Sequence, residues 1–466
     1  MTVSSGYIPI SRLDQGMKVA DACVHYGFCT AVCPTYVLDG EENESPRGRI
    51  GLIKTMLASG KRPDPATVTH IDRCLSCLSC ASTCAAGVEY RTLIDTAREY
   101  VEQSGVRPWP ERLWRAGLSR MLTSPRLLRV MLRLGRPAGK ATARLPGRFG
   151  ALGRMAKAPG LDAVAHRPAA LAQIDQPTAT RTVALLEGCV QSALGPEINQ
   201  AARRIFARLG IGVADAPGAL AGACCGALDL HMGQRERARR QAARWVMHWS
   251  ELMAQGVIDR IVVTTSGCGS VIKHYPELFD DDDDLARRAR QVAQACVDAS
   301  EFLADADLPR QDAHLGARVA YHDSCSLKHG QNVTRQPRAV LRRLGFKVLD
   351  VPESHLCCGS AGTYNLLQPA IADRLGARKA ANIAGLGADV MAAANLGCIV
   401  QISRFLGTPV AHWIQLVDWA GGGPAPLGLA GHVPLRPEPE EPEAGPPAAE
   451  TSGAGADTAP DSNSFW

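Results

Sequence analysis

The run RCLSCLSCASTC, residues 73–84, constrains this chain more than anything else in it. It sets Cys74, Cys77, Cys80 and Cys84 in the pattern C-x2-C-x2-C-x3-C. Steps of three residues on a tight loop turn successive thiols into one small cavity, as a cubane [4Fe–4S] cluster requires. Upstream, ACVHYGFCTAVCP carries the same pattern through Cys23, Cys29 and Cys33, but Tyr26 stands where the second cysteine belongs. In two-cluster ferredoxins the fourth cysteine of each run ligates the other cluster. By that rule one site takes Cys74, Cys77, Cys80 and Cys33. The other takes Cys23, Cys29 and Cys84, with no thiolate at position 26. Three readings of that second site stay open: a [3Fe–4S] centre, a four-iron cluster with another ligand on one iron, or no cluster. Tyrosine as the ligand has first to lose a proton with a pKa of about 10, so it ranks below the three-iron form. Zinc sites use two C-x2-C knuckles and four ligands per ion, a poor match to seven thiols in these two runs.

The chain has 466 residues and 16 cysteines, which lie in short-spaced groups or directly adjacent. The N-terminal MTVSSGYIPISRLDQGMK has no basic region followed by an apolar one, so a signal peptide is not expected. In a reducing compartment thiols grouped this closely ligate metal rather than bridge. No apolar run is long enough to span a bilayer. Aromatic residues make up only 5%, which disfavours a nucleic-acid surface built on base stacking.

Four textures divide the chain. Residues 1–105 hold the two cysteine runs among helical patterns at 12–22, 48–58, 64–73 and 90–104, and read as an α-helical dicluster ferredoxin domain. Residues 106–175 form a basic linker with helical character; within 106–160 there are thirteen Arg or Lys and one acid, Glu111. A basic amphipathic helix lies on anionic lipid, docks on an acidic partner, or packs between domains. Residues 421–466 are rich in Pro, Gly, Ala and Glu, and are expected to be disordered.

Residues 176–420 contain an internal repeat, read as two α/β Cys-Cys-Gly lobes at 176–305 and 306–420. Each copy has an apolar strand ending in a cysteine (Cys189; Cys325) and a helix ending in Leu-Gly (Leu209-Gly210; Leu344-Gly345). A short strand, a Cys-Cys-Gly triplet (Cys224-Cys225-Gly226; Cys357-Cys358-Gly359) and a final cysteine (Cys268; Cys398) follow. Strands alternating with helices predict parallel sheets. Each lobe thus brings four cysteines from strand ends and loops to one place. These are candidate sites for a further iron–sulfur centre, with a thiol redox pair or a structural remnant as alternatives. Cys296, in the helix-like LARRARQVAQACVDASEFL, reads as a packed core thiol.

Taken together, CVHYGFCTAVCPTY, RCLSCLSCASTC, LEGCVQ, ACCGALD, SGCGSVIKHY, HLCCGSAGTYNL and ANLGC resemble the iron–sulfur subunit of bacterial glycolate oxidase, over about residues 15–420. The resemblance implies a complex peripheral to the cytoplasmic face of the inner membrane. In it, FAD subunits oxidise glycolate to glyoxylate, and this subunit relays electrons to a quinone-level acceptor. The flavin belongs to the partners, and no Gly-rich dinucleotide fingerprint follows a strand here. Related iron–sulfur subunits serve lactate or glycerol 3-phosphate, which are the alternative substrates; a non-redox zinc scaffold is a third reading. In heterodisulfide reductase relatives a further cysteine pair completes each lobe's cluster, and the matching positions here are Val271 and Gln401. Ala85 also replaces the proline usual after the last cysteine of the second run.

Several other residues stand near these motifs. Arg47 and Arg49 in ESPRGRI either neutralise cluster charge, dock an acidic partner, or are exposed at a helix start. His322, His329 and His355 lie near lobe cysteines as tuning or structural histidines. The acidic run at 280–284 reads as a solvated loop leading into a helix.

Overall fold

A computed structural model describes residues 6–145, 147–159, 179, 181–279, 284–311 and 316–429, the side chains of 134–141 excepted. The acidic positions 280–283, the linker from 160 to 175 and the tail from 430 onward lie outside these residues.

The N-terminal part is all α. Its main helices are Ile10–Asp21, Pro46–Ser59, Pro65–Asp72 and Tyr90–Gln103. Pro46 and Pro65 occupy first-turn positions, where a missing N–H costs nothing, behind Ser45 and Asp64. Those two side chains accept from the amides of Gly48 and Thr67 and so cap the orphaned first turns. Ile53, Leu57, Ile71, Leu93, Ile94 and Ala97 fill the core between these helices. The cysteine runs form the loops at one end of this small bundle.

The basic segment is more than a linker. It folds into helices Trp109–Thr123, Pro125–Thr142 and Gly147–Ala156. Arg107 and Arg115 are buried and both grip Asp72 of the N-terminal domain, at 2.5 and 2.9 Å. Ser119 donates to Asp229 of the first lobe at 2.5 Å, and Arg154 pairs with Asp373 of the second at 3.6 Å. Arg107, Arg115 and Arg154 thus spend their charge on carboxylates supplied by distant parts of the chain.

The repeat forms two parallel four-stranded sheets. The first joins β1 (Arg181–Leu186), β2 (Ile211–Ala214), β3 (Ile261–Val263) and β4 (Cys296–Asp298) in the order β2-β1-β3-β4. The second joins β5 (Arg318–His322), β6 (Lys347–Asp350), β7 (Val390–Ala393) and β8 (Val410–His412) in the equivalent order β6-β5-β7-β8. Their central strands β3 and β7 are buried throughout, as expected where helices cover both faces. The lobes meet across a shared core: His412 contacts the carbonyl of Thr264 at 2.9 Å, and Arg204 and Arg208 of the first lobe hold Asp418 of the second. Cys296 opens β4 instead of continuing the helix, which ends at Ala295, and its thiol is packed in the core.

In both lobes the Cys-Cys-Gly glycine has a left-handed backbone, with φ of 97° at Gly226 and 86° at Gly359. Each also lies where a Cβ would stand 2.9 or 2.6 Å from the carbonyl oxygen of Ala238 or Ala372. Only glycine meets both demands, and the turn sets the cysteine pair against the following long helix.

Candidate iron–sulfur sites

The two N-terminal cysteine loops share one backbone design. In the complete run, Ser76 and Leu78 are left-handed, with φ of 51° and 62°. In the other, His25 and Gly27 are left-handed, with φ of 57° and 88°. Each loop then enters a short helix, Ser79–Thr83 or Phe28–Ala31, and the two helices pack together. Superposing the patterns puts Cys23 on Cys74, Cys29 on Cys80, and Tyr26 on Cys77. Non-glycine residues adopt this conformation at a cost of roughly 1–2 kcal/mol each, and the return is a loop that turns thiols to one side. In the complete loop that strain is held by Arg98, which donates to the Ser76 hydroxyl at 2.7 Å and the Cys74 carbonyl at 2.6 Å.

The sulfur-bearing residues Cys33, Cys74, Cys77 and Cys80 line a single cavity. Arg49, Tyr90, Leu75 and Pro34 complete its wall. This is the set that the crossing rule of dicluster ferredoxins assigns to one cluster. Burial, with the charge of neighbouring thiols behind it, pushes Cys77 and Cys80 well above the usual thiol range. Thiols crowded like this each keep a proton unless a metal displaces it, so the donor set fits an iron–sulfur cluster and suits no anion or neutral ligand.

Arg47 and Arg49 part company. Arg47 is at the surface, paired with Glu42 at 2.6 Å and lying over Gly27 of the incomplete loop. Arg49 is only 1% exposed. Its guanidinium donates to the Glu44 carboxylate at 2.6 Å, the Glu44 carbonyl at 2.5 Å and the His70 carbonyl at 2.7 Å, and stands 3.8 Å from the sulfur of Cys33. Glu44 is equally buried and also takes Arg73 and His70, each at 2.8 Å. Arg49 thus sets buried positive charge beside the thiols, where it offsets the negative charge that thiolates carry once they ligate a metal. Tyr90 adds a hydroxyl 3.8 Å from Cys74. Arg98 and Tyr90 carry no motif signal in the sequence; Glu44 and Arg73 stand at the edges of ESPRGRI and the second cysteine run, where nothing marks their pairing.

Cys23, Cys29 and Cys84 are half-buried, and each packs against the same apolar core. Tyr26 is 69% exposed, beside exposed Val24 and Phe28. Its phenol faces solvent.

The lobe cysteines also converge. The Cys325 and Cys357 sulfurs are 3.9 Å apart, and a hydrogen bond to Cys357 and burial push Cys325 well up. Cys189 and Cys224 interact in the same way in the first lobe. Cys268 and Cys398 sit inside short helices, Ser266–Ile272 and Leu396–Ser403, rather than on loops as the sequence suggested. Gln401 donates to the Ala372 carbonyl at 2.8 Å, and Val271 is packed in the core. His322 is fully buried, and desolvation drives its imidazole down to about 3, so it is neutral. His329 bonds Ser82 of the N-terminal domain at 2.9 Å. His355 is part-exposed and shifted down by partial burial.

A further contact joins the ferredoxin domain to the second lobe at the cysteines. Cys77, Leu75, Cys357 and Tyr364 share an apolar cluster with Cys325 against it, and the Tyr364 hydroxyl donates to the Arg73 carbonyl at 3.0 Å. The inner ferredoxin cavity therefore abuts the cysteines of the second lobe.

A helical domain with paired cysteine loops, fused to duplicated Cys-Cys-Gly lobes, defines an iron–sulfur protein. A family model described as "4Fe-4S dicluster domain" matches residues 19–88, and one described as "Cysteine-rich domain" matches 183–273 and 319–403. The chain is 38% identical to the glycolate oxidase iron-sulfur subunit of Escherichia coli K12, over 88% of this chain and 96% of that one. It is 28% identical to the probable glycolate oxidase iron-sulfur subunit of Bacillus subtilis 168, over 84% and 89%. Lactate utilization protein A of Geobacillus kaustophilus is 26% identical, over 49% of this chain and 94% of its own length. The chain belongs to the family of glycolate oxidase iron–sulfur subunits. Among the described residues no helix is long and apolar enough to cross a membrane.

Proposed function

We propose that this chain is the electron-transfer subunit of a complex that oxidises glycolate to glyoxylate on partner FAD subunits and delivers the electrons to a quinone-level acceptor. The observation that carries this reading is the single cavity lined by Cys33, Cys74, Cys77 and Cys80 against a buried Arg49. These four cysteines hold a [4Fe–4S] cluster, and Cys23, Cys29 and Cys84 hold a second, three-iron centre. Such clusters supply one-electron chemistry that complements the two-electron chemistry of a flavin. The chain's own residues fix the conditions of that exchange: Arg49 supplies buried positive charge, and the half-buried outer thiols leave one centre near the surface. The domain divisions 1–105, 106–175, 176–305 and 306–420 follow the same reading, as does placement on the cytoplasmic face of the inner membrane.

Glycolate is preferred over lactate and glycerol 3-phosphate because the full-length likeness is to glycolate oxidase subunits, whereas the lactate-utilisation relative matches about half the chain. The test is co-purification with the flavoprotein subunits and acceptor reduction with each substrate. Glycolate-dependent reduction that is lost without this chain is expected; preference for lactate overturns the assignment.

Tyr26 gives a sharper expectation. Its position matches that of Cys77, and the three thiolates around it bring less negative charge than four, which raises the potential of the bound centre. Tyr26→Cys supplies the absent thiolate. The oxidised-state EPR signal of a three-iron centre is expected to vanish and a second reduced four-iron signal to appear, with the inner site unchanged. Identical spectra before and after substitution contradict this account of Tyr26.

A further inference from the structure

The two lobes repeat closely enough to be compared side chain by side chain. Cys189 with Cys325, and Cys268 with Cys398, fix the frame. The last residue of β1, Leu186, then corresponds to His322, the last residue of β5. Gly226 touches Ala238, and Gly359 touches Ala372, so helix Arg235–Ala254 aligns with helix Pro369–Ala384. In that frame Trp245 corresponds to Lys379. All four side chains are buried.

The surroundings of the thiols therefore differ in kind. The first lobe offers a leucine and an indole, the latter donating to the Cys224 carbonyl at 3.2 Å. The second offers an imidazole and an ammonium, the latter donating to the Glu353 carbonyl at 2.5 Å. Burying these two groups is costly unless something there uses them. A ring nitrogen of His322 and the sulfurs of Cys358 and Cys398 all lie within 4.8 Å of one another. The Nδ1 of His322 is enclosed and has no hydrogen-bond partner, where buried polar atoms are normally satisfied.

We propose that the second lobe, and not the first, holds a metal centre in which His322 supplies a nitrogen ligand beside Cys358 and Cys398, with Cys325 and Cys357 adjoining. Mixed sulfur and imidazole donors suit a thiophilic cation, either iron in an iron–sulfur centre or zinc. Lys379 offsets the negative charge of the thiolates. The first-lobe cysteines are a structural copy. This centre is additional to the two N-terminal sites and does not depend on the substrate proposed above. It adjoins Cys77 through the shared apolar cluster.

The test uses the full chain, purified anaerobically, with iron, zinc and acid-labile sulfide measured. His322→Leu installs the residue the first lobe already accommodates, and Cys358→Ser removes a sulfur. Both are expected to lose the same increment of metal while the EPR of the N-terminal sites persists; Cys225→Ser is expected to lose none. Iron lost with sulfide marks an iron–sulfur centre, and zinc lost alone marks a mononuclear site; either supports the proposal. Should His322→Leu fail to fold, X-ray absorption at the two metal edges of the unsubstituted protein reads the same nitrogen among the sulfur ligands. Unchanged metal content in His322→Leu, sulfur-only ligation, or equal loss in Cys225→Ser and Cys358→Ser overturns it.

Discussion

Cys77→Ser is expected to abolish the reduced-state EPR signal of a four-iron cluster altogether, while the signal of the outer centre persists. Cys77 is the inner loop's counterpart of Tyr26, so the substitution leaves both sites with three thiolates. Serine is smaller and far less acidic than cysteine, and a hydroxyl held among buried thiols retains its proton. The cavity also loses the sulfur that packs toward Cys325 and Cys357. Glycolate-dependent acceptor reduction should fall with the signal. An undiminished four-iron signal with full iron content in Cys77→Ser would mean that the cavity's ligands have been misassigned.

Arg49→Leu is expected to destabilise the N-terminal domain by about 3–5 kcal/mol, the usual cost of removing one partner of a buried ion pair. Leucine fills much of the volume but leaves Glu44 with only Arg73 and His70, and it strands two carbonyls that the guanidinium now satisfies. Lysine keeps the charge but not the planar fork, so Arg49→Lys should recover only part of the loss. Denaturant unfolding of the cluster-loaded protein measures this. If Arg49→Leu costs the same in a Glu44→Gln background, the pair is not the source of the stability, and the double-mutant cycle would show it.

The cysteine framework was legible because ligation is a short-range demand. Three-residue steps and adjacent pairs are written into the local sequence, and the repeat of Cys189, Cys224, Cys225 and Cys268 in Cys325, Cys357, Cys358 and Cys398 exposed the two lobes. Their parallel sheets followed from strands alternating with helices. What escaped was pairing over distance. Arg47 and Arg49 are two residues apart on a helix, which places them about 200° apart around its axis. One must face out when the other faces in, but the sequence does not say which. Asp72 gathers Arg107 and Arg115 across more than thirty residues, so part of the basic charge, which the sequence left open between lipid, partner and interdomain packing, is paired within the chain. Cys296 was read inside a helix because LARRARQVAQACVDASEFL keeps a helical period past the point where a parallel edge strand takes over. The difference between Leu186 and His322 was present in the sequence, yet it became meaningful only when both were seen at the same end of equivalent strands.

The two N-terminal centres are read most directly by EPR of the anaerobically isolated wild-type protein, oxidised and then reduced, with iron and sulfide counted on the same sample. A three-iron signal is expected in the oxidised protein from the Cys23, Cys29 and Cys84 site, and a four-iron signal on reduction from the site of Cys33, Cys74, Cys77 and Cys80. A colourless protein that holds only zinc, or one with two ordinary four-iron clusters, would contradict this assignment.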